Sequence, residues 1–303
     1  MSAVIASHSD TYMSVKQVAS YLQLNEKKIY ALVSEGLIPA TKITGKWMFP
    51  RELVDRWMMD SSHGGLFTDR MVIAGSDDPL LQRVLTIFAR DINTHAQVSY
   101  TPTGTRLGLE LLQANRIDVS AIHWGPLKES HLRHPALLRQ HSHHRDWVLI
   151  RAFSREQGLI VRPEIAEKHD DIESLLSADY RWVERQAGAG AQRLFLEIRK
   201  NFGINTPFTA TTSALSEREA ATAINLGLAD VAPGARSAAT ESGLGFISYG
   251  HEAFDLALPR NMWFRRLFQD LLNRLQSGET RQTADLLGGY DFSQCGELVW
   301  GEE

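Results

Sequence analysis

A single cysteine, Cys295, stands in 303 residues, so neither an internal disulfide nor a cysteine zinc site can form. No run approaches the roughly 18 apolar residues of a membrane span. The start, MSAVIASHSDTYMS, lacks a basic segment followed by a long apolar stretch. No export signal is therefore expected, and the cytoplasm is the expected compartment. A surplus of positive charge is missing too. The 32 Lys and Arg face 36 Asp and Glu, a net charge of -4, which excludes nucleic-acid binding by bulk charge and leaves room only for a locally basic module. There is no nucleophile elbow, no P-loop, no HExxH helix and no metal-ligand spacing, so the chain is read as a non-enzyme with no catalytic residue, metal or cofactor.

What is present is the composition of a globular protein, 43% hydrophobic and 22% charged, in a chain long enough for two or three domains. Residues 1–11 are small and polar and are expected to fray. Ser14 is an N-cap with Gln17 three positions on, a capping box that opens the helix SVKQVASYL. Val15, Val18, Ala19 and Leu22 share one face of it. After a short break Asn25 caps a second helix, in which Ile29, Leu32 and Val33 face inward, and Gly36 stands where a helix ends. The run ATKITGKWMF reads as a hairpin turning at Thr44-Gly45, with Trp47 beneath it. Pro50 then starts a third helix, with Leu53, Val54 and Trp57 expected inside.

This order of parts resembles the excisionase and mercury-regulator type of winged helix-turn-helix, over about fifty residues. The resemblance implies DNA binding, and charge supports it locally: between Ser14 and Pro50 five lysines face two glutamates. Lys27 and Lys28 fall in the first turn of the second, recognition helix, where bases and phosphates are met. Lys42 and Lys46 flank the wing. The plainer alternative is that these lysines only solvate exposed faces, or that the module docks a protein.

Residues 1–60 are thus read as the DNA-binding domain and the small, polar Ser61–Arg70 as a linker. From Met71 onward short β-like runs alternate with helical runs, which implies an α/β layered domain. Five strand-to-helix bends carry glycines and hydroxyls: Gly75-Ser76 before Asp77 and the cap Asp78, Thr103-Gly104-Thr105, His123-Trp124-Gly125, Arg185-Gln186-Ala187-Gly188-Ala189-Gly190, and a Thr-Thr-Ser turn ending at Ser213. Such bends aim backbone amides at a shared cleft. Six of the eleven histidines fall between His123 and His144, but HSHHRD reads as a solvated loop.

These bends, with REQGLIV, GLGFISYGHEAFDLALP and LLGGYDFSQCGEL, resemble the intracellular periplasmic-binding-protein-like (type 2) domain. The resemblance covers most of residues 70–298 and implies an α/β domain at 71–303 of two lobes, about 71–152 with 246–298, and 153–245. It also implies ligand contacts at Ser76, Asp77, Thr103, Gly104, Thr105, His123, Gln157, Arg185, Gly188, Ala189 and Gly190. Relatives that handle molybdate or tungstate point to an oxyanion, but Gly188-Ala189-Gly190-Ala191 lacks the hydroxyls of their Gly-Ser-Gly-Thr loop. Asp77 and Asp78 also oppose an anion unless Arg185 and Arg106 offset them, so a small organic anion is the other expectation. Taken together, the expected protein is a ligand-responsive transcriptional regulator: operator DNA and a small effector as partners, a homodimer or higher homo-oligomer, and no membrane. The alternative is an oxyanion or cofactor-precursor carrier whose helix-turn-helix docks a protein.

Overall fold

The computed structural model describes residues 11–61, 69–92, 96–204 and 209–301. Two compact units divide between Asp69 and Arg70; the start of the chain and most of the Ser61–Arg70 stretch lie outside the described residues.

The first unit runs β1 (Tyr12–Ser14), α1 (Val15–Tyr21), α2 (Glu26–Ser34), β2 (Thr41–Ile43), β3 (Lys46–Pro50) and α3 (Arg51–Ser61). Both halves of the capping box form: the Ser14 side chain accepts from the Gln17 amide, and the Gln17 side chain accepts from the Ser14 amide. Asn25 likewise accepts from the Lys28 amide at 2.8 Å. Thr44 and Gly45 both have positive φ, 48° and 84°, the conformation of a two-residue hairpin turn. The wing gains a strand that periodicity did not reveal. β1 pairs antiparallel with β3, giving the order β1-β3-β2, because three residues carry too little pattern to read. Val18, Ile29, Phe49 and Val54 form the fully buried centre, with Trp47 packed against it. Leu53 departs from its expected place: it is 44% exposed, since α3 turns only the Val54 and Trp57 face inward.

The second unit is built on two long strands, β7 (Trp147–Val161) and β11 (Gly245–Pro259), paired antiparallel along their whole length. Before β7 come β4 (Asp69–Gly75), α4 (Pro79–Ile92), β5 (Ala96–Pro102), α5 (Thr105–Gln113), β6 (Val119–Ile122) and α6 (Ser130–Leu138). Between the long strands lie α7 (Pro163–Ala166), α8 (Ile172–Leu176), β8 (Val183–Arg185), α9 (Gly190–Asn201), β9 (Thr212–Ala214), α10 (Glu217–Asn225), β10 (Val231–Ala235) and α11 (Arg236–Glu241). After β11 follow α12 (Arg260–Trp263), α13 (Arg266–Leu275), α14 (Gly278–Leu287), β12 (Tyr290–Asp291) and β13 (Leu298–Gly301).

One eight-stranded sheet has the order β10-β7-β11-β6-β4-β5, with β12 and β13 also on β7. The early half of β7 pairs with β13 and its late half with β10, so each long strand serves both lobes. Apolar burial follows that division. Met71, Ile73, Leu80, Phe153, Phe254 and Phe268 sit in one lobe's core, and Leu175, Phe195, Val231 and Ile198 in the other's. The Thr-Thr-Ser stretch is partly strand rather than turn: Thr212–Ala214 forms β9, parallel to β8.

Candidate functional site

On the first unit Lys27, Lys28, Lys42 and Lys46 are all exposed. Lys27 and Lys28 occupy the first turn of α2, whose end also presents free amides. The Lys42 ammonium lies 5.6 Å from the centre of the Trp47 ring, which holds it at the wing by a cation–π contact. Two further contacts fix α1 against α3: the Tyr21 hydroxyl donates to Asp55 at 2.6 Å, and Arg51 stacks on Tyr21. Tyr30, on α2, is also exposed and belongs to the same surface.

In the second unit the first three bends meet one another. The Ser76 and Thr105 hydroxyls are 2.7 Å apart, and Thr105 donates on to the His123 carbonyl. The amides of Thr103 and Gly104 both donate to the Gly75 carbonyl. His123 Nδ1 is 2.7 Å from Glu252, which also accepts from Gln157 at 2.6 Å. Asp77 reaches the other lobe and accepts from the Glu217 amide. Seven of the anticipated residues therefore converge; Ser76, Thr105 and His123 bond one another, and the other four are held by Gly75, Glu252 and Glu217.

At the centre of this network is Arg155, which sequence reading passed over. It is buried to 1% exposure and pairs with Asp78, Glu217 and Glu252 at 2.8–2.9 Å. Its position follows from register. Arg155 stands directly opposite Glu252 across β7 and β11, where opposite charges stabilise a strand pair, and alternation along β7 puts it on the same side as Gln157. Two signals were available: charged residues, Arg155 and Glu252 among them, within long strands that otherwise carry many apolar residues, and the two-residue step to Gln157. Burial raises the Glu217 carboxyl above its ordinary range, against the pull of Arg155 and Arg185. Burial also pushes Glu252 upward, but His123 and Arg155 outweigh it and hold that carboxyl low.

Beside the network lies a cavity of about 490 Å³ lined by Arg185, Gly188 and Ala189, with Arg106, Trp124, Gln192, Arg193 and Ser213. Its walls come from both lobes. Arg185 is only 4% exposed, yet its Nε and Nη1 have no hydrogen-bond partner. No ion pair of Arg185 is among the described salt bridges. Burial lowers the Arg185 pKa, with Glu217 and Asp77 opposing it. Gly190 does not line the cavity: a Cβ there would sit 2.4 Å from the His123 carbonyl, so a glycine is required where α9 presses on the first lobe.

Elsewhere, no group of three His, Cys, Asp or Glu among the described residues could hold a metal, and His134 is committed to Asp255. Burial pushes the Cys295 thiol up to about 11, far from thiolate reactivity. No described helix is long and apolar enough to cross a membrane.

Comparison with known proteins extends this picture. Residues 12–62 match the model of a helix-turn-helix domain, and residues 88–276, more than half of the chain, match that of the PBP superfamily domain. A curated Bacillus subtilis (strain 168) protein, the uncharacterized protein YvgK, is 21% identical over 302 residues, spanning 94% of this chain and 97% of its own length. Among solved structures, a hydrogen-peroxide-bound OxyR mutant of Corynebacterium glutamicum is 13% identical, with a TM-score of 0.53 over 90% of this chain and 89% of that one. A Clostridium perfringens substrate-binding protein solved with phosphate is 9% identical, with a TM-score of 0.51 over 74% of this chain and 99% of that one. At such identities the likeness is one of fold. The chain belongs to the PBP superfamily and carries a helix-turn-helix domain at its N-terminal end.

Proposed function

We propose that this protein is a ligand-responsive transcriptional regulator, in which the first unit reads operator DNA and the second senses a small anion between its lobes. The observation that carries this reading is the union, in one chain, of four exposed lysines on a winged helix-turn-helix with a buried, unpartnered guanidinium at a cavity walled by two lobes. Lysines at the start of a recognition helix and on a wing meet phosphates and base edges. A buried guanidinium is costly to leave unpaired, and an anion beside Arg185 relieves that cost. The phosphate held by the Clostridium perfringens neighbour supports the choice of an anion.

The effector acts by its difference in affinity between lobe arrangements, since equal binding to both shifts nothing. Arg185 and Arg193 belong to one lobe and Arg106 to the other, so an anion that touches all three favours the closed arrangement. A dimer of the full chain then presents two heads to two half-sites, as helix-turn-helix proteins generally do. Reversing charge at both positions, K27E with K28E, abolishes a gel shift of the promoter region beside its own gene, while anion affinity stays as in the parent. A normal shift by that variant overturns the assignment of α2. If the unmodified protein shifts no promoter DNA, the carrier reading replaces the regulator.

A further inference from the structure

We infer that the effector is a small organic molecule bearing two anionic groups on a short carbon frame, not a single inorganic oxyanion. This rests on the reading of the second unit as an anion sensor and narrows its ligand class. Three features of the cavity lead there.

The first is size. About 490 Å³ falls within the roughly 300–1,000 Å³ of pockets that enclose small organic ligands, whereas one tetrahedral oxyanion leaves most of such a space unfilled. The second is the number and placement of cations. Arg185 lies deep on β8, and its Nε and Nη1 have no hydrogen-bond partner. Arg106 and Arg193 sit at the exposed side, with their guanidiniums 5.5 and 5.1 Å from the centre of the buried Trp124 ring. That indole holds one cation from each lobe against its ring. Acids are present too: Glu184 lines the cavity at an exposed position, Glu197 stands 3.7 Å from Arg193, and Glu217 and Asp77 act on Arg185 from behind the wall. One anionic group is required inside, at Arg185, and a second at the Arg106–Arg193 pair.

The third feature is the wall between these cations. Ala189 and Leu196 offer apolar surface suited to a carbon frame, and the Ser213 hydroxyl lines the same cavity. The Asp77, Asp78, Glu217 and Glu252 carboxylates lie outside the lining. Arg155 forms ion pairs with three of them.

The test is a thermal-shift and calorimetric comparison on the full chain. Inorganic phosphate and molybdate serve as single-centre probes; malonate, succinate, glutarate and phosphoglycolate serve as two-headed ones. At least one two-headed probe is expected to raise Tm and to bind tenfold or more tighter than phosphate and molybdate. R106A and R193A, both at exposed positions, are each expected to weaken that probe by roughly tenfold to a hundredfold, the loss of one charged hydrogen-bonding partner. R185M should abolish the probe's effect while raising Tm without any probe, because it removes an unpaired buried charge. Phosphate or molybdate binding as tightly as every two-headed probe overturns the inference, as does the absence of stabilisation by all four two-headed probes. A fall in Tm for unliganded R185M also overturns it, since Arg185 would then be holding the fold together. The promoter gel shift is read separately: loss of anion binding with DNA binding intact sinks this inference alone.

Discussion

Arg155 shows how one side chain ties two lobes together. Its guanidinium meets Asp78 from one lobe, Glu217 from the other and Glu252 on the neighbouring strand, and it rests on the Phe254 ring. Removing one member of a buried ion pair strands its partners without compensation, at about 3–5 kcal/mol. R155M is expected to lose stability of that size in urea unfolding, and an unchanged midpoint would refute the network's role. Glu252 sets a pH dependence. Its folded pKa lies below the ordinary 4.5, so its stabilising contribution is complete above pH 4.5 and is lost as pH falls through the lower, folded value. Glu217 runs the other way: its folded pKa is raised, so its ionisation costs stability as pH rises. E252Q should be less stable than the parent at neutral pH and should show a shallower fall of Tm below pH 4.5.

At the scale of elements, the legible parts were those with local causes. Ser14 and Asn25 announce α1 and α2 because a cap acts within three residues. Thr44-Gly45 announces the wing because a two-residue turn needs positive φ. S14A is expected to cost about 0.5–2 kcal/mol by denaturant unfolding. What stayed hidden depends on distant partners. β1 is strand only because β3 lies beside it, and the bends at Gly75, Thr103 and His123 were legible as bends but not as groups that satisfy one another. Arg106 and Arg193 take their meaning from Trp124, which lies far from Arg193 in sequence. Gly190 looked like a loop residue aimed at a ligand, whereas its lack of a side chain lets α9 approach His123. G190A is expected to force α9 away from β6, at about 1–3 kcal/mol as in other overpacked sites, and to weaken anion binding in calorimetry. Equal affinity in G190A would separate that contact from the cavity.

For the whole molecule, the central claim is that occupancy of the second unit is felt by the first. Coupling between two sites is reciprocal and typically amounts to about 1–3 kcal/mol, or roughly 5- to 150-fold in affinity. It requires both the Arg185 cavity and the α2 lysines, so R185M and the K27E–K28E pair each interrupt it at one end. The most direct test is fluorescence anisotropy of labelled promoter DNA titrated with the full chain at fixed salt, with and without saturating two-headed anion, for the parent and for R185M. The expected result is at least a fivefold change in the parent's DNA affinity on adding the anion and none in R185M. Identical DNA affinity in the parent with and without a bound, saturating anion would contradict the account.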